Sequence, residues 1–223
     1  MVSAIIAAAG SGTRIGFKKQ FMELCGMPVL AYSMQAFQDS VIDEIVVVTA
    51  EEDIFRVKEI AEDYGITKLK AVVRGGDTRS QSVINGLSAV SGDYVLIHDG
   101  ARPFVADFEI DSLVDEVVKN GAAALGYPIV DTVKWVKDGF VEKTVPRSSL
   151  MAAATPQGFK TELIKKAHEK AVCDGVSLTD DCSAAEYAGH PVKMIQCRDI
   201  NIKITTAKDV TFAEAILEAS RCE

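Results

Sequence analysis

Residues 2–21 read VSAIIAAAGSGTRIGFKKQF. Val2–Ala9 is a continuous apolar run but for Ser3, the pattern of a strand buried on both faces in a parallel sheet. Gly10 and Gly12 follow at once. Lacking Cβ atoms, they let the backbone pass close to a bound group, and successive N–H groups in such a loop can cradle phosphate. A dinucleotide fingerprint would need a third glycine at position 15, where Ile15 stands, and a P-loop would need a following G-K-[ST], which is absent. Arg14, Lys18 and Lys19 set this loop apart. Fixed cations beside a glycine loop suit a transferring phosphoryl group. The competing reading is an ordinary strand-to-helix turn with solvated cations.

Outward from this stretch, strand-length apolar runs alternate with helical patterns. Pro28 suits a first helical turn, and Leu30, Met34 and Phe37 then share one face. Glu44–Thr49 is a strand, and Ile54, Val57, Ala61 and Tyr64 mark a helix ended by Gly65. Leu69–Val73 is a strand, followed by a helix with Val83, Leu87 and Val90 inward. Tyr94–His98 is a strand, Ile110, Leu113, Val114 and Val117 a helix closed near Gly121, and Ala122–Ile129 a further strand. The alternation predicts an α/β fold with a doubly wound, mostly parallel sheet, whose ligands sit beyond the carboxyl ends of the strands. Thr132–Lys137 and Phe140–Val145 break the rhythm: they flank Asp138-Gly139, a strong hairpin signal. This hairpin is either a solvent-exposed decoration or an arm that dimerises and supplies site residues in trans. Beyond it, Leu163, Ile164, Ala167 and Ala171 mark a helix, and Val192–Cys197 and Asn201–Thr205 read as short strands. Thr206 with Asp209 resembles a capping box for the last helix.

The 223 residues suit one domain, 1–223, with the hairpin arm 130–147 inside it. At 48% hydrophobic and 25% charged, the chain can fill a core. A net charge of −8 argues against nucleic acid or an anionic membrane as partner. It leaves room for a small anionic substrate held by a few clustered cations. Five cysteines without C-x-x-C or zinc-finger spacing read as reduced thiols of a cytoplasmic protein. The start reads as a first strand rather than a signal peptide, and no apolar run reaches the roughly 20 residues of a membrane span.

Three further segments carry chemistry. Arg74-Gly75-Gly76-Asp77-Thr78-Arg79-Ser80-Gln81-Ser82 lies between a strand and a helix, so Gly75 and Gly76 allow close approach to a base edge and Ser82 can add a hydrogen bond. Asp77 reads alternatively as the helix cap. In His98-Asp99-Gly100-Ala101-Arg102-Pro103, Asp99 ends a strand, placed for Mg²⁺ or a ribose hydroxyl, or else for a buried ion pair with Arg102. His98 reads as a packed strand histidine. A dispersed group comprises Asp131 and Thr132, Arg147, Thr155-Pro156-Gln157, Thr179-Asp180-Asp181 and Asn201–Thr205 with Lys203 at its centre. Taken singly, Thr179 is a helix cap and Lys203 a surface residue.

Taken in order, AAAGSGTRIG, KKQF, GGDTRSQSV, HDGARPF, DTVK, VPR, TPQGF, TDD and NIKITT resemble the 2-C-methyl-D-erythritol 4-phosphate cytidylyltransferase family from Ala7 to Asp209. The resemblance implies a Rossmann-like nucleotidyltransferase fold and a reaction between CTP and a polyol phosphate that releases pyrophosphate, with Mg²⁺ as cofactor. It implies that Arg14 and Lys19 stabilise the transition state, that Ala8, Ala9 and Gly10 lie along the nucleotide, and that Gly76 and Ser82 meet the cytosine side, with Gly12 and Asp77 in the substrate-binding set. Asp99 would meet ribose, substrate or metal, with Gly100 and Arg102 in the substrate-binding set. Thr132, Arg147 and Lys203 would hold the methylerythritol phosphate, with Thr155 and Thr179 in the binding set. In this family the arm crosses to a partner subunit, so Thr132 and Arg147 would act in trans within a homodimer. Lys18 stands where the family has Pro, Met151 where it favours Trp, and Ala154 where Gln often stands. Lys19 is taken as the family's lysine because it directly precedes Gln20-Phe21. Rival readings are a ribitol 5-phosphate cytidylyltransferase, a non-catalytic nucleotide-binding regulator of the same fold and, more distantly, a Rossmann oxidoreductase.

Overall fold

A computed structural model describes residues 1–10 and 18–220. In chain order the strands are β1 (Val2–Ala7), β2 (Glu23–Leu24), β3 (Met27–Pro28), β4 (Glu44–Thr49), β5 (Leu69–Arg74), β6 (Tyr94–Asp99), β7 (Ala122–Pro128), β8 (Val133–Lys137), β9 (Phe140–Val145), β10 (Met151–Lys160) and β11 (Lys193–Gln196). The helices are α1 (Val29–Asp39), α2 (Ile54–Asp63), α3 (Arg79–Leu87), α4 (Asp107–Asn120), α5 (Thr161–Cys173), α6 (Asp181–Tyr187) and α7 (Ala207–Ser220).

Seven strands form one sheet in the order β11-β7-β10-β6-β1-β4-β5. Its pairs are parallel except those of β10, which runs antiparallel between β6 and β7. Alternation along the inner strands divides the core in two. Ile6, Ile45 and Val47 pack with Leu30, Met34, Phe37, Leu113 and Val117 on the α1–α2–α4 face. Ile5, Val46 and Val48 pack with Val83, Leu87, Phe159 and Ile164 on the α3–α5–α6 face. Successive strand side chains point to opposite faces, so a strand with helices on both sides must be apolar throughout, and all six residues of β4 are buried.

The winding places the site. From β1 the chain moves outward through β4 to β5, then returns to lay β6 on the other side of β1. The crevice at such a reversal opens at the carboxyl ends of the two strands, here beyond Ala7 and Asp99.

Three segments depart from the sequence reading. Residues 151–160, expected only to carry a Thr-Pro-Gln motif, form the longest strand in the sheet. Proline is tolerated within a sheet at an irregularity, and the β10–β7 register shifts between Ala153 and Gln157, around Pro156. Asn201–Thr205, expected as a strand, is an irregular segment joined to the preceding fold at Ile204, whose amide donates to the Ala101 carbonyl at 2.9 Å. At the N-terminus of α6, Asp180 rather than Thr179 is the cap. Its carboxylate accepts from the Ser183 amide while the Ser183 hydroxyl lies 3.3 Å from the Asp180 amide.

The hairpin forms as the Asp138-Gly139 signal predicts. Both residues have positive φ, 52° and 84°, as a type I′ turn requires. β8 and β9 pair with each other outside the main sheet, and Trp135, Val136, Phe140 and Val141 are exposed on them.

Phe159 is fully buried on β10 and packs in the α3–α5–α6 half of the core. Phe159→Ala should therefore lower unfolding stability by about 3–5 kcal/mol, through lost transfer energy and the cavity left behind. Urea unfolding at unchanged m-value checks this. A loss below about 1 kcal/mol would mean that β10 is not integral to the core.

Candidate nucleotidyl-transfer site

A cleft of about 410 Å³ opens at the predicted end of the sheet. The loop after β1 supplies Ala8, Ala9 and Gly10, and Lys19 follows on the same wall. Gln20 fixes this wall from inside. It is buried, and its amide Nε2 donates to the carbonyls of Ala8 at 2.7 Å and Gly10 at 3.2 Å. The two adjacent lysines part company. Lys18 pairs with Glu52 at 2.7 Å and Asp53 at 2.5 Å, beside the start of α2, whereas Lys19 lines the cleft. Gly12 and Arg14 lie outside the described residues.

The loop after β5 forms the opposite wall with Gly76 and Asp77, joined by Ser82 from the first turn of α3. A Cβ on Gly75 would stand 2.5 Å from the Ala9 Cβ, so only glycine lets the two loops approach this closely. The Ser82 hydroxyl accepts from the Gly76 amide at 3.1 Å and donates to the Thr78 carbonyl at 3.0 Å, which holds the loop's shape. The cap of α3 is Thr78, whose hydroxyl accepts from the Gln81 amide at 3.1 Å. Asp77 is therefore not the cap, and it lines the cleft instead.

Asp99 closes the floor at the end of β6, with Gly100 beside it. Its carboxylate lies 2.7 Å from Lys203 Nζ, 3.6 Å from Arg79 Nε and 3.7 Å from Arg102 Nε. Burial pushes the Asp99 carboxyl up, but Lys203, Arg79 and Arg102 outweigh it and bring the pKa down to about 2. Of the two alternatives read from the sequence, the ion pair with Arg102 is present, and the carboxylate also faces the cleft. Arg102 and Thr155 lie under the cleft rather than along it. Arg102 Nη1 donates to the Asn201 carbonyl at 2.7 Å. The Thr155 hydroxyl accepts from the Asp99 amide at 3.0 Å and lies 3.2 Å from His98 Nδ1. His98 Nε2 meets the Arg102 carbonyl at 3.1 Å, and since a carbonyl only accepts, Nε2 carries the proton.

Lys203 arrives on the irregular 201–205 segment, which side chains hold in place. Tyr127 accepts from the Asn201 amide at 2.6 Å, Asn201 Nδ2 donates to the Thr155 carbonyl at 2.7 Å, and Glu109 accepts from the Arg198 amide at 2.7 Å. Thr132 and Arg147 stand at the base of the hairpin. Both are exposed, Arg147 donates to the Val130 carbonyl, and neither lines this chain's own cleft. Thr179 is exposed and outside the lining as well. Sequence reasoning gave no role to Gln20 or to Arg79, which also lines the cleft. Arg79 was detectable: a cation in the first turn of a helix opposes the macrodipole and calls for an anionic partner.

An α/β sheet whose switch-point crevice carries a glycine loop and inward-facing lysine and arginine side chains is the construction of a nucleotidyltransferase. The profile of IspD, 2-C-methyl-D-erythritol 4-phosphate cytidylyltransferase, matches residues 2–219. A relative of that name from Halalkalibacterium halodurans is 47% identical over 219 residues, covering 96% of each chain. One from Clostridium novyi is 43% identical over 221 residues, again covering 96% of each. The crystal structure of the 4-diphosphocytidyl-2C-methyl-D-erythritol synthase from Anaerococcus prevotii superposes with a TM-score of 0.89 at 34% identity, over 98% of this chain and 96% of that one. The chain belongs to the 2-C-methyl-D-erythritol 4-phosphate cytidylyltransferase family.

Burial lowers the His98 pKa from 6.5 to about 4, against the opposing pull of Asp99. The unfolded chain therefore binds more protons than the folded one between these values. The stability His98 contributes is complete above about pH 6.5 and is lost as pH falls toward 4, at up to about 1.4 kcal/mol per unit. His98→Gln should flatten the decline between pH 6.5 and 5 in urea titrations. Parallel slopes in the two proteins would refute the assignment.

Proposed function

We propose that the chain transfers the cytidylyl group of CTP to 2-C-methyl-D-erythritol 4-phosphate, giving 4-diphosphocytidyl-2-C-methyl-D-erythritol and pyrophosphate for isoprenoid precursor synthesis. Family membership supplies the substrates. The observation that carries the chemistry is the convergence of Lys19, Arg79, Lys203 and Asp99 on one cleft at the ends of β1 and β6.

A phosphate monoester carries about −1.5 to −2 charge at pH 7 and needs no base to become a nucleophile. Its oxygen attacks the α-phosphorus of CTP. A new P–O bond forms, the bond from the α-phosphorus to the bridging oxygen breaks, and the electron pair leaves with pyrophosphate. The difficulty is bringing two polyanions together. Lys19, with Arg14 five positions earlier in the sequence, would stabilise charge on the α-phosphoryl oxygens, and Lys203 with Arg147 would aim the attacking phosphate. The backbone of Ala8, Ala9 and Gly10 would follow the nucleotide, and Gly76 with Ser82 would face the base. Asp99 would offer Mg²⁺ a hard, ionised oxygen donor shared with Lys203, Arg79 and Arg102, and this ion commonly takes one or two carboxylates plus substrate phosphates. Mg²⁺ would supply charge neutralisation across the CTP phosphates.

The arm is read as a dimerisation element. Its exposed Trp135, Val136, Phe140 and Val141 would pack on a second copy and carry Thr132 and Arg147 to the partner's cleft. A cytoplasmic location is the accompanying reading. Cys173, Cys182 and Cys197 are free thiols, and no helix among the described residues is long and apolar enough to cross a membrane.

Pyrophosphate release should require methylerythritol phosphate and CTP, with ATP, GTP, UTP and ribitol 5-phosphate poor substitutes. Lys19→Ala should lose about 10²–10³ in turnover with CTP affinity little changed, while Lys18→Ala stays near wild type. Equal losses at the two positions would undo the division of the site. Lys19→Ala and Arg147→Ala homodimers, mixed and allowed to exchange subunits, should regain activity. Each mixed dimer would contain one intact site, so random exchange restores about a quarter of the wild-type sites. No recovery would place Arg147 in its own chain's site.

A further inference from the structure

Behind the cleft wall lies a buried polar chain that ends on Arg79, the member that lines the cleft. Asp181 is fully buried at the first turn of α6. Its Oδ2 accepts from Arg79 Nη2 at 2.7 Å and its Oδ1 lies 3.1 Å from His168 Nε2. A carboxylate only accepts, so His168 Nε2 bears the proton. His168, also buried, places Nδ1 3.1 Å from the Ser80 hydroxyl. The chain runs from Ser80 through His168 and Asp181 to Arg79, and Arg79 then reaches the cleft floor, 3.6 Å from Asp99.

We propose that Asp181 and His168 are positioning residues of the nucleotide site: together they hold the Arg79 guanidinium in the cleft, aimed at the phosphates of the incoming nucleotide. This rests on the reading of the cleft as the CTP site.

Three observations carry it. Arg79 is about one-third exposed and lines the cleft, whereas its two anchors are wholly enclosed. Burying a carboxylate costs several kcal/mol unless it is paired and hydrogen-bonded, and apolar residues would tie α3 to α5 and α6 at least as well. The ion pair therefore needs a purpose other than cohesion. Arg79 sits in the first turn of α3, where the helix dipole repels a cation but attracts the anions that the cleft is built to receive. Asp181 and Asp99 hold the guanidinium there until phosphate oxygens arrive. The planar fork suits two such oxygens at once.

The decisive experiment is a double-mutant cycle between Arg79→Ala and Asp181→Asn on the full chain. Steady-state kinetics are read for each substrate, with calorimetric binding of inorganic pyrophosphate and melting temperature alongside. Arg79→Ala and Asp181→Asn should each raise the KM for CTP and the Kd for pyrophosphate by about tenfold or more, as expected for loss of a charge-assisted bond. The KM for the polyol phosphate should stay within about twofold, and the double variant should be no worse than Arg79→Ala, since the two act as one unit. His168→Leu should repeat the CTP effect in smaller measure, and His168→Gln, which keeps a donor, should recover most of it. Unchanged nucleotide constants in a folded Asp181→Asn protein would overturn the proposal. So would an Asp181→Asn effect that persists in full without Arg79. A wild-type protein that binds pyrophosphate but leaves CTP intact would instead overturn the cytidylyl reading alone, and the pyrophosphate constants of the variants would still decide what the dyad does.

Discussion

Asp99 gathers the cations of the cleft before any substrate is present. Three positive side chains from different parts of the chain, Arg79 on α3, Arg102 after β6 and Lys203 near the C-terminus, lie within 3.7 Å of its carboxylate. Without a central anion their mutual repulsion would splay them toward solvent. With it they stay pointed inward, and they outweigh the cost of burying the carboxylate, which is why its pKa falls instead of rising. Arg79 and Lys203, which line the cleft, are thus already held inward, and binding of a polyanion need not order them.

The fold supplies the point at which this assembly can occur. β6 returns beside β1 only after the chain has wound out to β5, so the loops after β1, β5 and β6 converge on one crevice. Gly75 lets the first two loops touch, and Gln20 pins the carbonyls of the first from beneath. An overall charge of −8 is compatible with this arrangement. The cations act within a few ångströms of their target, whereas the acidic residues elsewhere are largely screened beyond about a Debye length.

What could be read from the chain, and what could not, follows from the range of the interactions. Strands such as β4 and helices such as α1 announce themselves because their periodicity is local. The Asp138-Gly139 turn does so because few sequences accept two successive positive φ angles. β10 gave no such signal. Its sequence, MAAATPQGFK, is rich in small residues and broken by proline, and it is a strand because β6 and β7 leave a gap that antiparallel pairing fills. Conversely, NIKIT alternates like a strand, yet hydrogen bonds involving Tyr127, Arg102 and the Asn201 side chain hold it in an irregular path.

The same distinction governs the site. Among the described residues, Ala8, Ala9, Gly10 and Lys19 and the run from Gly76 to Arg79 with Ser82 line the cleft, and these contiguous motifs were legible because glycines bordered by cations have few uses. Lys203 looked like a surface residue because its meaning depends on a partner 104 positions away. Thr155 and Arg102 belong to the scaffold beneath Asp99: one binds its amide, and the other extends to the segment that carries Lys203. A substitution at either would move the floor of the cleft without removing any group that lines it. Their contribution is to fix a carboxylate among cations, through the Asp99 amide and through the segment that carries Lys203.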